Sequence, residues 1–118
     1  MVKASDGQVW TAAKLTEILE SAADSGADGI DLEWVPEGLE CCYISGNTGV
    51  GSIITDAVVA ENIIDAIVTR ARLRNKSSGT MSLRIAGQDR EIQVEEWDSF
   101  GESAFRLRFC PSKGNPSR

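Results

Sequence analysis

The sequence predicts an α+β domain, an antiparallel sheet of five or six strands with two helices on one face, in the chain order α-β-β-(β)-α-β-β-β. Two stretches carry apolar residues three and four positions apart, and each is followed by stretches in which they recur every second position. The chain has 118 residues, 42% of them apolar, which suffices for one continuous core. A single domain over residues 1–110 with a flexible tail over 111–118 is therefore expected, since the tail has no apolar side chain after Pro111.

The first helix is expected after Trp10, where Ala12, Leu15, Ile18, Leu19 and Ala22 share one face, with Thr11 capping its start and Gly26 stopping it. Ile30, Leu32 and Trp34 alternate with Asp31 and Glu33, the pattern of a half-buried strand. A turn at Pro36, Glu37 and Gly38 then leads to Leu39, Cys41 and Tyr43, which resume the alternation and complete a hairpin. The glycine-rich stretch from Gly46 to Gly51 reads as a connection, and Thr55 or Asp56 can cap a second helix with Val59, Ile63, Ala66 and Ile67 inward. That helix ends at Arg70, Arg72 and Arg74, which suit the negative end of its dipole. The three last strands are marked by Met81, Leu83 and Ile85, by Ile92 and Val94, and by Phe105, Leu107 and Phe109. The expected core is Leu15, Ile18, Leu19, Ile30, Leu32, Ile63, Ile67, Leu83, Ile85, Phe105 and Leu107.

Composition limits the chemistry. With 18 acidic residues against 12 basic ones, the formal charge is -6, which repels a phosphate backbone or an anionic lipid surface. Nucleic acid is not an expected partner, and neither is membrane insertion, because no apolar run reaches the roughly 20 residues that span a bilayer. The first residues lack the apolar core of a secretion signal, so a cytoplasmic location is expected. Cys41, Cys42 and Cys110 are an odd set, and neighbours on a strand point to opposite faces, so reduced thiols are the simpler reading. The absence of histidine removes the commonest general base and metal ligand, and no Cys-x-x-Cys pair offers a zinc site. No cofactor, metal or catalytic residue is expected, and Cys42 has no histidine to activate it.

Two features invite a functional reading. The run from Gly46 to Ser52 resembles a phosphate-binding loop between a strand and a helix, but Gly51 is followed by Ser52 with no lysine to hold the outer phosphates. Nucleotide binding is not expected. On the first strand Asp31 and Glu33 share a face, where they can pair, chelate or simply meet solvent, and Arg84, Arg106 and Arg108 are expected on the same outward face. These five residues form the candidate partner-binding surface. Reversing Arg106 and Arg108 together is expected to weaken association while leaving the fold intact. Trp10, Trp34 and Trp97 lie near element ends, where tryptophan serves as a core staple or a partner anchor.

The first helix, the run Gly26, Ala27, Asp28, Gly29, Ile30, Asp31, Leu32 and Glu33, the strand from Gly38 to Gly46, the helix end from Ile67 to Leu73 and the late run from Gly101 to Leu107 follow one another in an order of elements that spans residues 14 to 109. In this order they resemble the domain that precedes the motor in type II secretion and type IV pilus assembly ATPases. The family's arginines that sense nucleotide have no counterpart here, since Ile44 and Thr80 occupy those places, and the motor itself is absent. The resemblance implies a PAS-like fold and an adaptor or regulator near secretion or pilus machinery, non-enzymatic, that binds a protein partner such as the ATPase or another copy of itself. Two other readings suit a small acidic α+β chain, a cytosolic secretion chaperone holding an unfolded client and a PAS-like sensor of a small ligand.

Overall fold

The computed structural model describes the backbone of residues 3–110, with side chains described from residue 14 onward. The tail over 111–118 and the Trp10 side chain lie outside the described residues. Eight elements follow in the order α1 (Lys3–Asp24), β1 (Gly29–Val35), β2 (Gly38–Ser45), β3 (Thr48–Ile54), α2 (Ala57–Ala71), β4 (Ser78–Ile85), β5 (Gln88–Ser99) and β6 (Glu102–Phe109). The six strands form one antiparallel sheet in the order β3-β2-β1-β6-β5-β4. Each helix thus precedes a three-stranded meander. The two meanders meet where β1 pairs with β6, in a seam that aligns Gly29 with Arg108, Ile30 with Leu107, Asp31 with Arg106 and Leu32 with Phe105.

Alternation decides which face each strand residue takes. Ile30 and Leu32 of β1, Leu39 and Cys41 of β2, Met81, Leu83 and Ile85 of β4, Ile92 and Val94 of β5, and Phe105 and Leu107 of β6 are all buried. They join Leu15, Leu19 and Ala22 of α1 and Ala60, Ile63, Ile67 and Ala71 of α2 in one core cluster. Helical residues and inward strand residues share that cluster, so both helices lie on the same side of the sheet. Of the expected core, only Ile18 is half-buried instead of fully buried, and it packs against the cluster. No helix among the described residues is long and apolar enough to cross a membrane.

Local signals explain the helix limits. The Asp56 carboxylate accepts from the amides of Val58 at 3.0 Å and Val59 at 3.2 Å, so Asp56 and not Thr55 caps α2. At the other end Arg72 takes a left-handed conformation with φ 56°, and the amides of Arg72 and Leu73 close the last carbonyls through Thr69 and Val68. Helix α1 begins earlier than the apolar spacing implies. It starts at Lys3, which leaves Thr11 inside the helix and not at its cap.

The glycine stretch differs from its expected role as a connection. Only Gly46 and Asn47 form a turn, and from Thr48 onward the chain is strand β3, paired with β2 along its whole length. Gly46 has φ 60°, as the first position of a two-residue turn between right-twisted strands requires.

Candidate functional site

Neither of the two helices among the described residues lies over the sheet's second face. The pairing registers run rows of side chains across this face. One row crosses Gly51 of β3, Cys42 of β2, Asp31 of β1, Arg106 of β6, Glu95 of β5 and Ser78 of β4. A second crosses Gly49, Ile44, Gly29, Arg108, Gln93 and Thr80. The five residues expected on this face do lie on it, but they are not one cluster.

Asp31 and Arg106, 75 positions apart in sequence, are direct cross-strand neighbours joined by two hydrogen bonds. Arg106 Nε donates to Asp31 Oδ1 at 2.8 Å and Nη2 donates to Oδ2 at 2.9 Å, the parallel fork of a guanidinium and a carboxylate. The guanidinium also lies 5.6 Å from the Trp97 ring centre, within reach of a cation–π attraction. The hydrogen bonds to Asp31, followed by its negative charge, raise the Arg106 pKa and keep it protonated. Trp97 is 40% exposed and lies two residues before the end of β5, so it is near a strand end, as expected, but not part of the core. Trp34, by contrast, packs against the core cluster.

Glu33 accepts a short hydrogen bond from the Ser99 hydroxyl and makes no ion pair with an arginine among the described residues. Arg84 sits on the far edge strand β4, where Nη1 donates to Asp89 Oδ1 at 3.0 Å. Both members of that pair are well exposed, and solvent screens it to little net stabilisation. Arg84 is therefore remote from the β1–β6 seam and is not brought together with the other four residues.

Arg108 is different. It is exposed and has no ion-pair partner among the described residues. Opposite it on β1 is Gly29, which raises no side chain, and the face sinks there into an open depression of about 410 Å³. Asp28, Asp31, Ile44, Gly46, Arg106 and Arg108 are among the residues that line it. Both of its carboxylates are already engaged, since Asp28 Oδ2 accepts from the Gly46 amide at 2.9 Å and Asp31 holds Arg106. The uncommitted charge in the depression is thus a cation, on a chain whose formal charge is -6. Sequence spacing placed Arg108 on this face but carried no signal for the depression, which depends on the register that sets Gly29 opposite it.

The cysteines are all free thiols. Cys41 points into the core, and burial, helped by the charge of Glu40, pushes its pKa up to about 11. Cys42 faces the other way, and its pKa is raised by desolvation first and then by Glu40 and Asp31. Neither environment favours the thiolate. Among the described residues no group of three or more cysteine and carboxylate side chains is arranged to hold a metal ion. The former phosphate-loop candidate runs as an edge strand from Thr48 to Ile54, extended along β2 instead of wrapped around a ligand.

No protein-family model matches the chain, and no curated protein matches it.

Proposed function

We propose that this chain is a non-enzymatic protein-interaction module that works in the cytoplasm and engages its partner through the uncovered face of the sheet. The observation that carries this reading is the depression at the β1–β6 seam, where Arg108 is uncommitted while the other charged residues that line it, Asp28, Asp31 and Arg106, are engaged. A carboxylate of the partner protein is the complement of that site. Exposed Trp97 beside Arg106 supplies the aromatic surface that interfaces favour. Taken with the resemblance of residues 14 to 109 to the domain preceding the motor of type II secretion and type IV pilus ATPases, the partner class proposed is that machinery, and the role is that of an adaptor or regulator.

Calorimetric titration of a purified secretion or pilus ATPase into this protein tests the proposal. A moderate association is expected that fades as salt rises, because the Debye length falls from about 30 Å at 0.01 M to about 3 Å at 1 M. Arg108→Glu is expected to weaken it by about fivefold or more, since one pair is lost and a like-charge contact replaces it. Absence of binding at low salt rejects the adaptor role. Binding that neither Arg108→Glu nor Trp97→Ala alters rejects the outer face.

A further inference from the structure

The two edges of the sheet are built differently. At β4 the strand carries Arg84, and its start is closed off by α2, so that a methyl group added at Gly79 would lie 2.3 Å from the Ala71 carbonyl oxygen. At β3 no charged or proline residue occurs anywhere from Gly46 to Thr55, in a chain that is 25% charged. Natural sheets guard their edges with lysine, proline, bulges or covering elements, and β3 has none of the first three. Six of its seven residues are exposed, Val50 to 68% and Ile53 to 41%.

The hydrogen-bonding phase of this edge follows from the turn. In a two-residue hairpin the flanking residues, here Ser45 and Thr48, exchange backbone bonds with each other. Thr48, Val50, Ser52 and Ile54 therefore direct their amides and carbonyls toward β2, and Gly49, Gly51 and Ile53 direct theirs to the open side. The Ile44 carbonyl accepts from the Asp28 amide on the β1 side at 2.7 Å, which agrees with this phase, because Ile44 is then not bonded to its neighbour Gly49.

We propose that β3 is a homodimer edge, pairing antiparallel with β3 of a second copy about a two-fold axis through Gly51. Such an axis sets Gly51 against Gly51 and Gly49 against Ile53, in both directions. All three residues with open backbone groups then find partners, whereas an axis through Val50 would leave Ile53 opposite the turn residue Asn47. The side chains agree with the same register. Gly49 raises no side chain, and Cys42 and Ile44 lean into the space above it, since a methyl group there would lie 2.7 Å from Cys42 Sγ and 3.3 Å from Ile44 Cδ1. The two-fold brings the exposed Ile53 of one copy onto that apolar lining in the other. No charged residue lies on β3 itself. Glu40 of β2 leans over Gly51, its Oε2 3.3 Å from where a methyl group there would lie, so the two-fold brings the two Glu40 carboxylates toward each other and the dimer is expected to tighten as salt screens them. A second copy is the occupant because a two-fold partner supplies an isoleucine opposite Gly49 in both copies at once and a glycine opposite Gly51. The pairing does not involve Arg108 and does not rest on the proposed use of the outer face.

A contact along one seven-residue strand falls short of the roughly 800 Å² per partner of a standard stable interface, so the dimer is concentration-dependent. Sedimentation velocity over a concentration series is the measurement, with circular dichroism melts to confirm folding. Wild type is expected to shift from monomer to dimer. Gly51→Pro removes an amide that faces only the open edge, and Ile53→Lys puts a charge on each side of the axis; both are expected to remain folded monomers. Should Gly51→Pro fail to fold, Ile53→Lys alone decides. For the register, Gly51→Cys in a Cys42→Ser, Cys110→Ser background is expected to cross-link between copies on oxidation, and Val50→Cys in the same background is not. A wild type monomeric at every concentration, a dimer that survives Ile53→Lys, or cross-linking through Val50→Cys alone would overturn the proposal. Arg108→Glu is expected to dimerise as wild type does, and its failure to do so would move the contact away from β3. Capture of an extended apolar peptide by a strictly monomeric wild type would make the occupant a foreign strand.

Discussion

Replacing Gly29 by alanine tests the seam that holds the two halves of the sheet together. An added Cβ would lie 2.1 Å from the Leu107 carbonyl oxygen and 3.1 Å from the Arg108 Cα, both backbone atoms that cannot rotate away. Relief requires β1 and β6 to separate, and their ladder is short, four register pairs from Gly29 with Arg108 to Leu32 with Phe105 and one further backbone bond from the Phe109 amide to the Asp28 carbonyl. Overpacking of a dense site costs about 1–3 kcal/mol, and loss of a ladder bond adds about 1 kcal/mol. The expected loss is therefore about 2–4 kcal/mol, a large part of the roughly 5–15 kcal/mol that holds a domain together. At about 3–5 °C per kcal/mol for a chain of this size, the melting midpoint should fall by about 6–20 °C in a thermal scan followed by circular dichroism. Gly87→Ala is the control. Gly87 has φ 82° and open space around it, so its alanine pays only left-handed strain of about 1–2 kcal/mol. If Gly29→Ala lowers the midpoint no further than Gly87→Ala does, the close approach of β6 to Gly29 is not what holds the seam.

Other perturbations address single contacts. Asp56→Ala removes the acceptor for two amides at the start of α2 and should cost about 1 kcal/mol, read as a midpoint lower by a few degrees; an unchanged midpoint would remove the cap from the account. The buried Cys41 thiol, raised from 9.0 to about 11, binds its proton more tightly folded than unfolded, so stability is complete below pH 9 and declines as pH rises toward 11. The loss approaches about 2–3 kcal/mol, and Cys41→Ala should flatten that part of a denaturant-midpoint profile against pH; an identical slope in both proteins would contradict the burial argument. Arg106→Glu should lower stability by about 1 kcal/mol, because it sets a carboxylate against both Asp31 and Glu95 at a partly exposed site, whereas Arg108→Glu should melt with wild type. Equal melting of the two variants would show that the Asp31 fork adds nothing.

What the sequence disclosed is what local chemistry encodes. The β1–β2 hairpin was legible because Pro36, Glu37 and Gly38 interrupt a two-residue period that continues on both sides, and strands β4 and β6 were legible from Met81, Leu83, Ile85, Phe105 and Leu107. Strand β3 was not, because an edge strand exposed on both faces needs no alternation, and its glycines imitate a loop. The start of α1 was hidden since Gly7 weakens helical propensity ahead of the apolar repeat. The length of β5 was hidden for a related reason: beyond Val94 the run Glu95 and Glu96 breaks the apolar period, while β5 continues to Ser99. The candidate site was legible as a face but not as a geometry. Nothing local states that β1 lies beside β6, and that long-range pairing alone decides which charges meet.

That pairing gives the two arginines of β6 separate duties. They are two positions apart and share one face, but β1 sets Asp31 across from one and Gly29 across from the other, while β5 sets Glu95 and Gln93 on their other sides. Arg106 faces Asp31 and is spent on joining the meanders, with Trp97 against its plane. Arg108 faces Gly29, which must stay a glycine for β6 to approach, and the same missing side chain leaves the depression open and the guanidinium without a partner. The close packing that Gly29 permits and the uncommitted cation beside it thus have one cause. Simultaneous reversal of both arginines would mix a stability effect with a binding effect, and for that reason Arg108 alone reports on partner capture while Arg106 reports on the seam.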